Sequence, residues 1–257
     1  MNAIIEVRGI TKRFGGITAL SDASIDVPAS GVLGLIGPNG AGKTTLFNII
    51  SGHLRADSGT ITFDGRRVER KRPSALARLG LARSWQDVRP LTGLTVLDSV
   101  LVGRRTRDAE YPLRGLIRWR AARAEERLAK EEAIAALQRV GLDERLVGEQ
   151  IDDLAFAEQK LVTLARLLVG EPKVLLLDEP ASGLDVESVD RLLRVIRSIA
   201  ESGVPVLLVE HNLAVVRDVA DRAVFMSNGK VIAVETPDDL VRRADLIELY
   251  FGSRWVA

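Results

Sequence analysis

The sequence predicts an α/β fold organised on a buried parallel sheet, and three stretches carry that prediction. The apolar run Val32 to Ile36 passes through a glycine-rich turn into the amphipathic stretch Thr45 to Ile50. The run Val174-Leu175-Leu176-Leu177-Asp178-Glu179, introduced by Pro172 and closed by Pro180, reads as a strand covered on both faces. From Val186 to Glu201, Val189, Leu192, Leu193, Ile196 and Ile199 recur at helical spacing, as in a helix packed on a sheet.

The other elements follow in order. Ile4 to Val7 and Ile17 to Val27 read as strands of a small β-rich lobe, joined by Thr60 to Phe63. The core pattern runs from Val32 to His53 and resumes near Glu158, with residues 87–157 as a helical insert. Arg222 to Ala257 read as the last strands and short terminal helices. Residues 1–257 are thus expected to form one domain, with 1–86 and 158–257 as core and β lobe and 87–157 as a helical subdomain. There is no internal repeat and no low-complexity segment.

Composition narrows the function classes. A chain of 257 residues, 46% hydrophobic and 28% charged, has room for one large core and an ordinary globular balance. A net charge of +1 argues against a general nucleic-acid binder. The absence of cysteine excludes a disulfide framework and thiolate metal sites, and leaves the redox compartment open. Met1 to Arg8 lack a basic n-region and an apolar core, and no apolar run approaches the about 20 residues of a membrane span. The expected address is the cytosol.

The turn after Ile36 reads Gly37-Pro38-Asn39-Gly40-Ala41-Gly42-Lys43-Thr44, followed by Thr45. It fits the pattern Gly-x-x-x-x-Gly-Lys-Ser/Thr in the strand–loop–helix setting that pattern needs. The glycines let successive backbone N–H groups aim at phosphate oxygens, and a helix beginning at Lys43 adds its positive dipole end. Lys43 supplies a point charge for the outer phosphates and Thr44 a hydroxyl for Mg²⁺. A plain glycine-rich turn would explain the glycines but not the Lys-Thr at that offset. The chain is therefore expected to bind a nucleoside triphosphate. Asp178, at the C-terminal end of a parallel strand, is placed to hold Mg²⁺, and Glu179 to polarise the water that attacks the γ-phosphate.

Further stretches resemble the ATP-binding cassette (ABC) ATPases over nearly the whole chain. Phe14, in Lys12-Arg13-Phe14-Gly15, matches the aromatic on which that family stacks adenine; the alternative is a core aromatic. Gln86 matches the glutamine that joins the core to the helical subdomain and reaches the metal. Ala181-Ser182-Gly183-Leu184-Asp185 resembles the loop that crosses the dimer interface, with Ser182 and Asp185 as its polar members. His211, after Val206-Leu207-Leu208-Val209-Glu210, matches the switch histidine that reaches the γ-phosphate. The resemblance implies a P-loop NTPase (RecA-like) core with an antiparallel β lobe and a helical subdomain. It also implies ATP and Mg²⁺ as cofactors, and Lys43, Gln86, Glu179 and His211 as the catalytic set.

A narrower resemblance rests on Arg13-Phe14-Gly15-Gly16, Glu210-His211-Asn212-Leu213, Leu249-Tyr250-Phe251-Gly252 and the long basic segment Gly103 to Val140. These look like the ATP-binding subunits of branched-chain amino acid (Liv-type) importers; urea and amide importers use similar subunits. The implied partners are integral membrane permease subunits, a second ABC ATPase subunit in a heterodimer and, indirectly, an external solute-binding protein. The implied place is the cytoplasmic face of the membrane, and no nucleic acid is expected. A soluble ABC protein acting as an ATP-dependent interaction switch is the alternative class. From Arg104 to Lys130 there are nine Lys or Arg against four Asp or Glu, which suits a helical surface facing permease or anionic headgroups, or a solvated helix face.

One stretch departs from the family. Its Leu-Ser-x-Gly-Gln-type signature, which contacts ATP on the opposite subunit from a helix start, corresponds to Leu154-Ala155-Phe156-Ala157-Glu158-Gln159. Ala155 removes the serine hydroxyl, and the Ala157 methyl crowds the backbone approach that glycine allows.

Overall fold

The computed structural model describes residues 3–84, 91, 93–104 and 119–251. The chain divides into two compact units: Met1–Arg83 with Lys173–Ala257, and Ser84–Pro172.

The first unit holds two sheets. An antiparallel sheet has the order β2-β1-β4-β5, from β1 (Ala3–Phe14), β2 (Ile17–Pro28), β4 (Ser58–Phe63) and β5 (Arg66–Arg67). β1 is much longer than Ile4 to Val7. It continues past Gly9, whose φ of 62° lies in the first of three register shifts between Val7 and the final pairing Phe14↔Ile17.

The second sheet has the order β10-β9-β3-β8-β7-β6, from β3 (Val32–Ile36), β6 (Leu81–Arg83), β7 (Val174–Asp178), β8 (Val206–Val209), β9 (Arg222–Ser227) and β10 (Lys230–Glu235). β3 pairs in parallel with β8 and β9, and β7 with β8 and β6; β10 alone is antiparallel, to β9. Every residue of β3, β7 and β8 is buried, which is why each reads as an unbroken apolar run.

Helix α1 (Lys43–Ile50) buries Leu46, Phe47, Ile49 and Ile50 in one cluster with Val7 and Leu20 of the antiparallel sheet and Leu35, Leu176 and Leu207 of the parallel one. The same unit holds α2 (Pro73–Leu79), α6 (Val186–Glu201), α7 (Leu213–Val219), α8 (Pro237–Arg242) and α9 (Ala244–Phe251). α6 has the limits its periodicity predicts, with Leu192, Leu193, Ile196 and Ile199 buried and Val189 half-buried.

The second unit contains α3 (Val96–Leu101), α4 (Trp119–Arg139) and α5 (Phe156–Leu168), which pack on one another through Val96, Val100, Ala133, Leu137, Val162 and Ala165. Both expected boundaries move. The first stretch of the core ends at Arg83 rather than at 86. Although the sequence places residues 158–172 in the core, α5 groups with α3 and α4, and the first unit resumes at Lys173. Arg104 is neutralised inside this unit by Glu132 at 2.7 Å and Glu125 at 3.4 Å on α4, so this member of the basic segment is no free surface cation. Residues 105–118 of that segment lie outside the described residues.

Candidate functional site

The C-terminal ends of β3, β7 and β8 lie along one edge of the parallel sheet, where the chain leaves for its loops. From β3 the chain enters Gly37 to Gly42. Gly37, Gly40 and Gly42 all have positive φ, at 149°, 80° and 97°. A Cβ on Gly37 would stand 2.1 Å from the Met226 carbonyl, and one on Gly42 2.7 Å from that of Ala19. Only glycine lets the loop close against its neighbours and keep its concave face as backbone, the form a phosphate fits.

Lys43 opens α1 and is buried, although it is a lysine. Its Nζ donates to the carbonyls of Gly37 at 2.7 Å and Pro38 at 3.0 Å, so the ammonium lies across the loop that precedes it. Burial pulls it below its ordinary range, and the Glu179 carboxylate opposes that shift. Thr44 is exposed beside it, whereas Thr45 is half-buried.

At the end of β7, Asp178 is buried and paired with Arg83 of β6. Burial raises the Asp178 carboxyl above the usual range, and Arg83 counters it. Glu179 follows with φ 45°, a left-handed conformation uncommon outside glycine. Its N–H donates to the Val209 carbonyl at 2.9 Å, and its own carbonyl accepts from Ser182 N at 3.1 Å, which holds the turn. The Glu179 Oε2 stands 3.5 Å from Nδ1 of His211, which follows β8 and exposes about half its side chain, 54%. Lys43, Asp178, Glu179 and His211 are thus gathered at one sheet edge.

Phe14 is 48% exposed, with the Lys12 ammonium 5.5 Å from its ring centroid. It is therefore no core aromatic. Asp185 caps α6 through Ser188, at 2.9 Å to N and 2.8 Å to Oγ. Gln86 lies outside the described residues.

In the second unit, Leu154 to Gln159 sit at a helix start as expected, with Ala155 as N-cap of α5 and no side-chain cap. Glu158 fills part of that gap: its Oε2 accepts from the Ala155 N–H at 3.2 Å, the returning half of a capping box whose first half alanine cannot make. Phe156 is 46% exposed beneath the buried Lys160, whose Nζ lies 5.1 Å from the ring.

Two residues escaped the sequence reading. Arg83 gives no motif signal except a lone cation in a short apolar strand. Glu210 is 1% exposed and accepts from the Ala181 N–H at 3.0 Å, tying the segment after β7 to that after β8.

No group of three or more His, Cys, Asp or Glu among the described residues forms a self-sufficient metal cage. The donors instead suit a small hard cation that takes the exposed Thr44 hydroxyl and Asp178 and completes its shell with phosphate oxygens and water.

Residues 20–182 match the family model described as ABC transporter. The chain is 35% identical over 250 residues to the high-affinity branched-chain amino acid transport ATP-binding protein BraF of Pseudomonas aeruginosa, covering 97% of this chain and 98% of that one. It is 32% identical over 252 residues to the corresponding LivG protein of Escherichia coli K12, again covering 97% and 98%. A solved ATP-binding cassette of an ABC transporter in its ADP conformation matches with a TM-score of 0.85 at 31% identity, covering 98% of this chain and 100% of that one.

Proposed function

The chain belongs to the ABC transporter family, and from that premise we propose that it is the ATP-hydrolysing subunit of an importer for branched-chain or other amino acids. Family membership carries nucleotide binding and ATP hydrolysis. The import of amino acids is supported by relatives matched nearly end to end and named for that transport. The observation that carries the catalytic reading is Glu179 facing His211 at 3.5 Å, on the edge that presents Lys43 and Asp178.

The glycine loop and α1 receive the triphosphate, and adenine stacks on Phe14. Lys43 leaves the carbonyls of Gly37 and Pro38 for the outer phosphates, exchanging neutral acceptors for charged ones. Glu179 orients and polarises water for in-line attack on the γ-phosphate, and His211 donates to the oxygens on which charge builds. Thr44 and Asp178 would hold Mg²⁺, which would neutralise phosphate charge when bound.

No described helix is long and apolar enough to cross a membrane. As in the amino-acid importers whose subunits it resembles, integral permease subunits form the pathway, this chain sits at their cytoplasmic face, and a second cassette completes the ATP sandwich through Ser182 and Asp185.

The test has two arms. Lys43→Ala should nearly abolish ATP binding, while Glu179→Gln should bind and retain ATP without turnover. Copurification with integral membrane subunits, followed by uptake of labelled leucine, urea and amides into vesicles, tests import. Full turnover in Glu179→Gln would overturn the catalytic reading, and copurification without membrane subunits the transport reading.

A further inference from the structure

The motif Leu249-Tyr250-Phe251-Gly252 has no part in the chemistry above, yet the structure takes one of its residues to the switch loop. Tyr250, on α9, donates its Oη to the backbone carbonyl of His211. The ring lies against Phe225, with centroids 6.2 Å apart and planes at 49°. It lines a small, mostly apolar pocket together with Ile36, Leu213, Leu240, Leu246 and Ile247. Ile36 is the last residue of β3 before the phosphate loop, and Leu213 begins α7 just after the switch segment. One short helix therefore seats against both chain segments that lead into the site.

The segment around His211 is held from three sides. Before it, the Glu210 N–H reaches the Leu35 carbonyl at 3.4 Å. After it, the Asn212 side chain caps α7 through the Ala214 N–H at 3.0 Å. At His211 itself the peptide carbonyl is taken by Tyr250. Fixing that carbonyl fixes the plane of the His211–Asn212 peptide and so restrains ψ at His211, one of the torsions that decide where the exposed imidazole goes.

We propose that Tyr250 is a positioning residue for the switch histidine, so that α9 sets the aim of His211 on the γ-phosphate. This rests on the catalytic reading of His211 given above. Such a tether acts on the chemical step and not on nucleotide capture, because the glycine loop and Lys43 bind phosphate without it. A hydroxyl that orients a catalytic group should be worth about three- to tenfold in turnover, the range of one neutral hydrogen bond.

The full chain, with whatever subunits copurify, carries the test. Tyr250→Phe keeps the ring, its contact with Phe225 and its place in the apolar pocket, and removes only the hydroxyl. It should lower kcat about three- to tenfold, leave KM unchanged and lower the melting temperature by no more than the few degrees that one hydrogen bond is worth. Hydrogen exchange should accelerate at the amides of residues 211–213 and stay unchanged in β7. His211→Ala, run alongside, should be nearly inactive. If His211→Ala is inactive but Tyr250→Phe keeps full kcat and parental exchange, the tether is overturned while the reading of His211 stands. If His211→Ala turns over normally, that reading fails and the proposal with it. If kcat falls only as far as a loss of folded protein accounts for, the hydroxyl is structural and the proposal is wrong.

Discussion

Arg83 Nη2 stands 3.2 Å from Asp178 Oδ2, and both side chains are buried, at 7% and 5% exposure. The guanidinium also donates to Ser51 Oγ, lies 3.3 Å from Nδ1 of His53 and stacks over the Phe47 ring at 4.6 Å. Ser51 and Phe47 belong to the C-terminal end of the helix that Lys43 opens. Arg83 therefore joins that helix to the strand bearing the candidate metal carboxylate.

A buried ion pair is expensive to break from one side, since the remaining charge has no compensation. Arg83→Met should cost about 3–5 kcal/mol of stability by urea denaturation. Adding Asp178→Leu should recover part of that loss, although the double variant will be inactive. If the double variant is no more stable than Arg83→Met alone, mutual neutralisation is not what the pair contributes.

Phe14 is half-exposed, so Phe14→Ala should change stability by no more than about 0.5 kcal/mol. If adenine stacks there, the contact is shared by ground and transition states. KM for ATP should then rise and kcat hold. Because a ring face reads no hydrogen-bond pattern, ATP and GTP should be separated only modestly. A thermal shift of several degrees without nucleotide, with KM unchanged, would remove Phe14 from the site.

Glu210 yields a prediction in pH. Burial raises its carboxyl above the usual glutamate value of 4.5, although the Ala181 N–H and then His211 pull it down. With the folded value above the unfolded one, its contribution to stability is fully present below about pH 4.5. That contribution is lost as pH rises through the folded value. Glu210→Gln keeps an acceptor for Ala181 and removes the charge. The stability of the variant relative to the parent should therefore improve as pH rises from about 4 to about 8. A difference that stays constant over that range would mean that Glu210 titrates alike in both states.

The parts of the site legible in sequence were those whose physics is local. The glycine loop is set by backbone freedom at fixed spacing, β7 by a run buried on both faces, and α6 by its own periodicity. Arg83 was not legible, because its role comes from parallel pairing with β7, at Arg83↔Leu176, across a long stretch of chain. Tyr250 meets His211 for the same kind of reason. The range Ile4 to Val7 falls short of β1 because the strand runs on past Gly9 through register shifts set by its pairing with β2, a partner no local pattern announces. The grouping of α5 with α3 and α4 depends on packing that no local pattern announces.

The last prediction concerns the start of α5. In a heterodimer whose partner carries an intact Ser-x-Gly signature, this chain's own ATP meets good donors. The partner's ATP instead meets Ala155, Ala157 and the Glu158 carboxylate that already occupies the Ala155 N–H. Losing a hydrogen bond to a charged group costs about 1.5–3 kcal/mol, or roughly tenfold to a hundredfold in affinity, and a carboxylate in that place adds repulsion. Glu179→Gln should then stop nearly all ATPase activity of the assembled transporter, while the equivalent change in the partner should leave a substantial fraction. Ala155→Ser with Ala157→Gly should raise turnover at the weaker site, and adding Glu158→Gln should raise it further by freeing the helix end from a negative charge. Equal losses from the two glutamate variants, with no response to the restored signature, would sink the asymmetric scheme. The backbone of the helix start would then suffice at both sites, or the cassette would pair with its own copy.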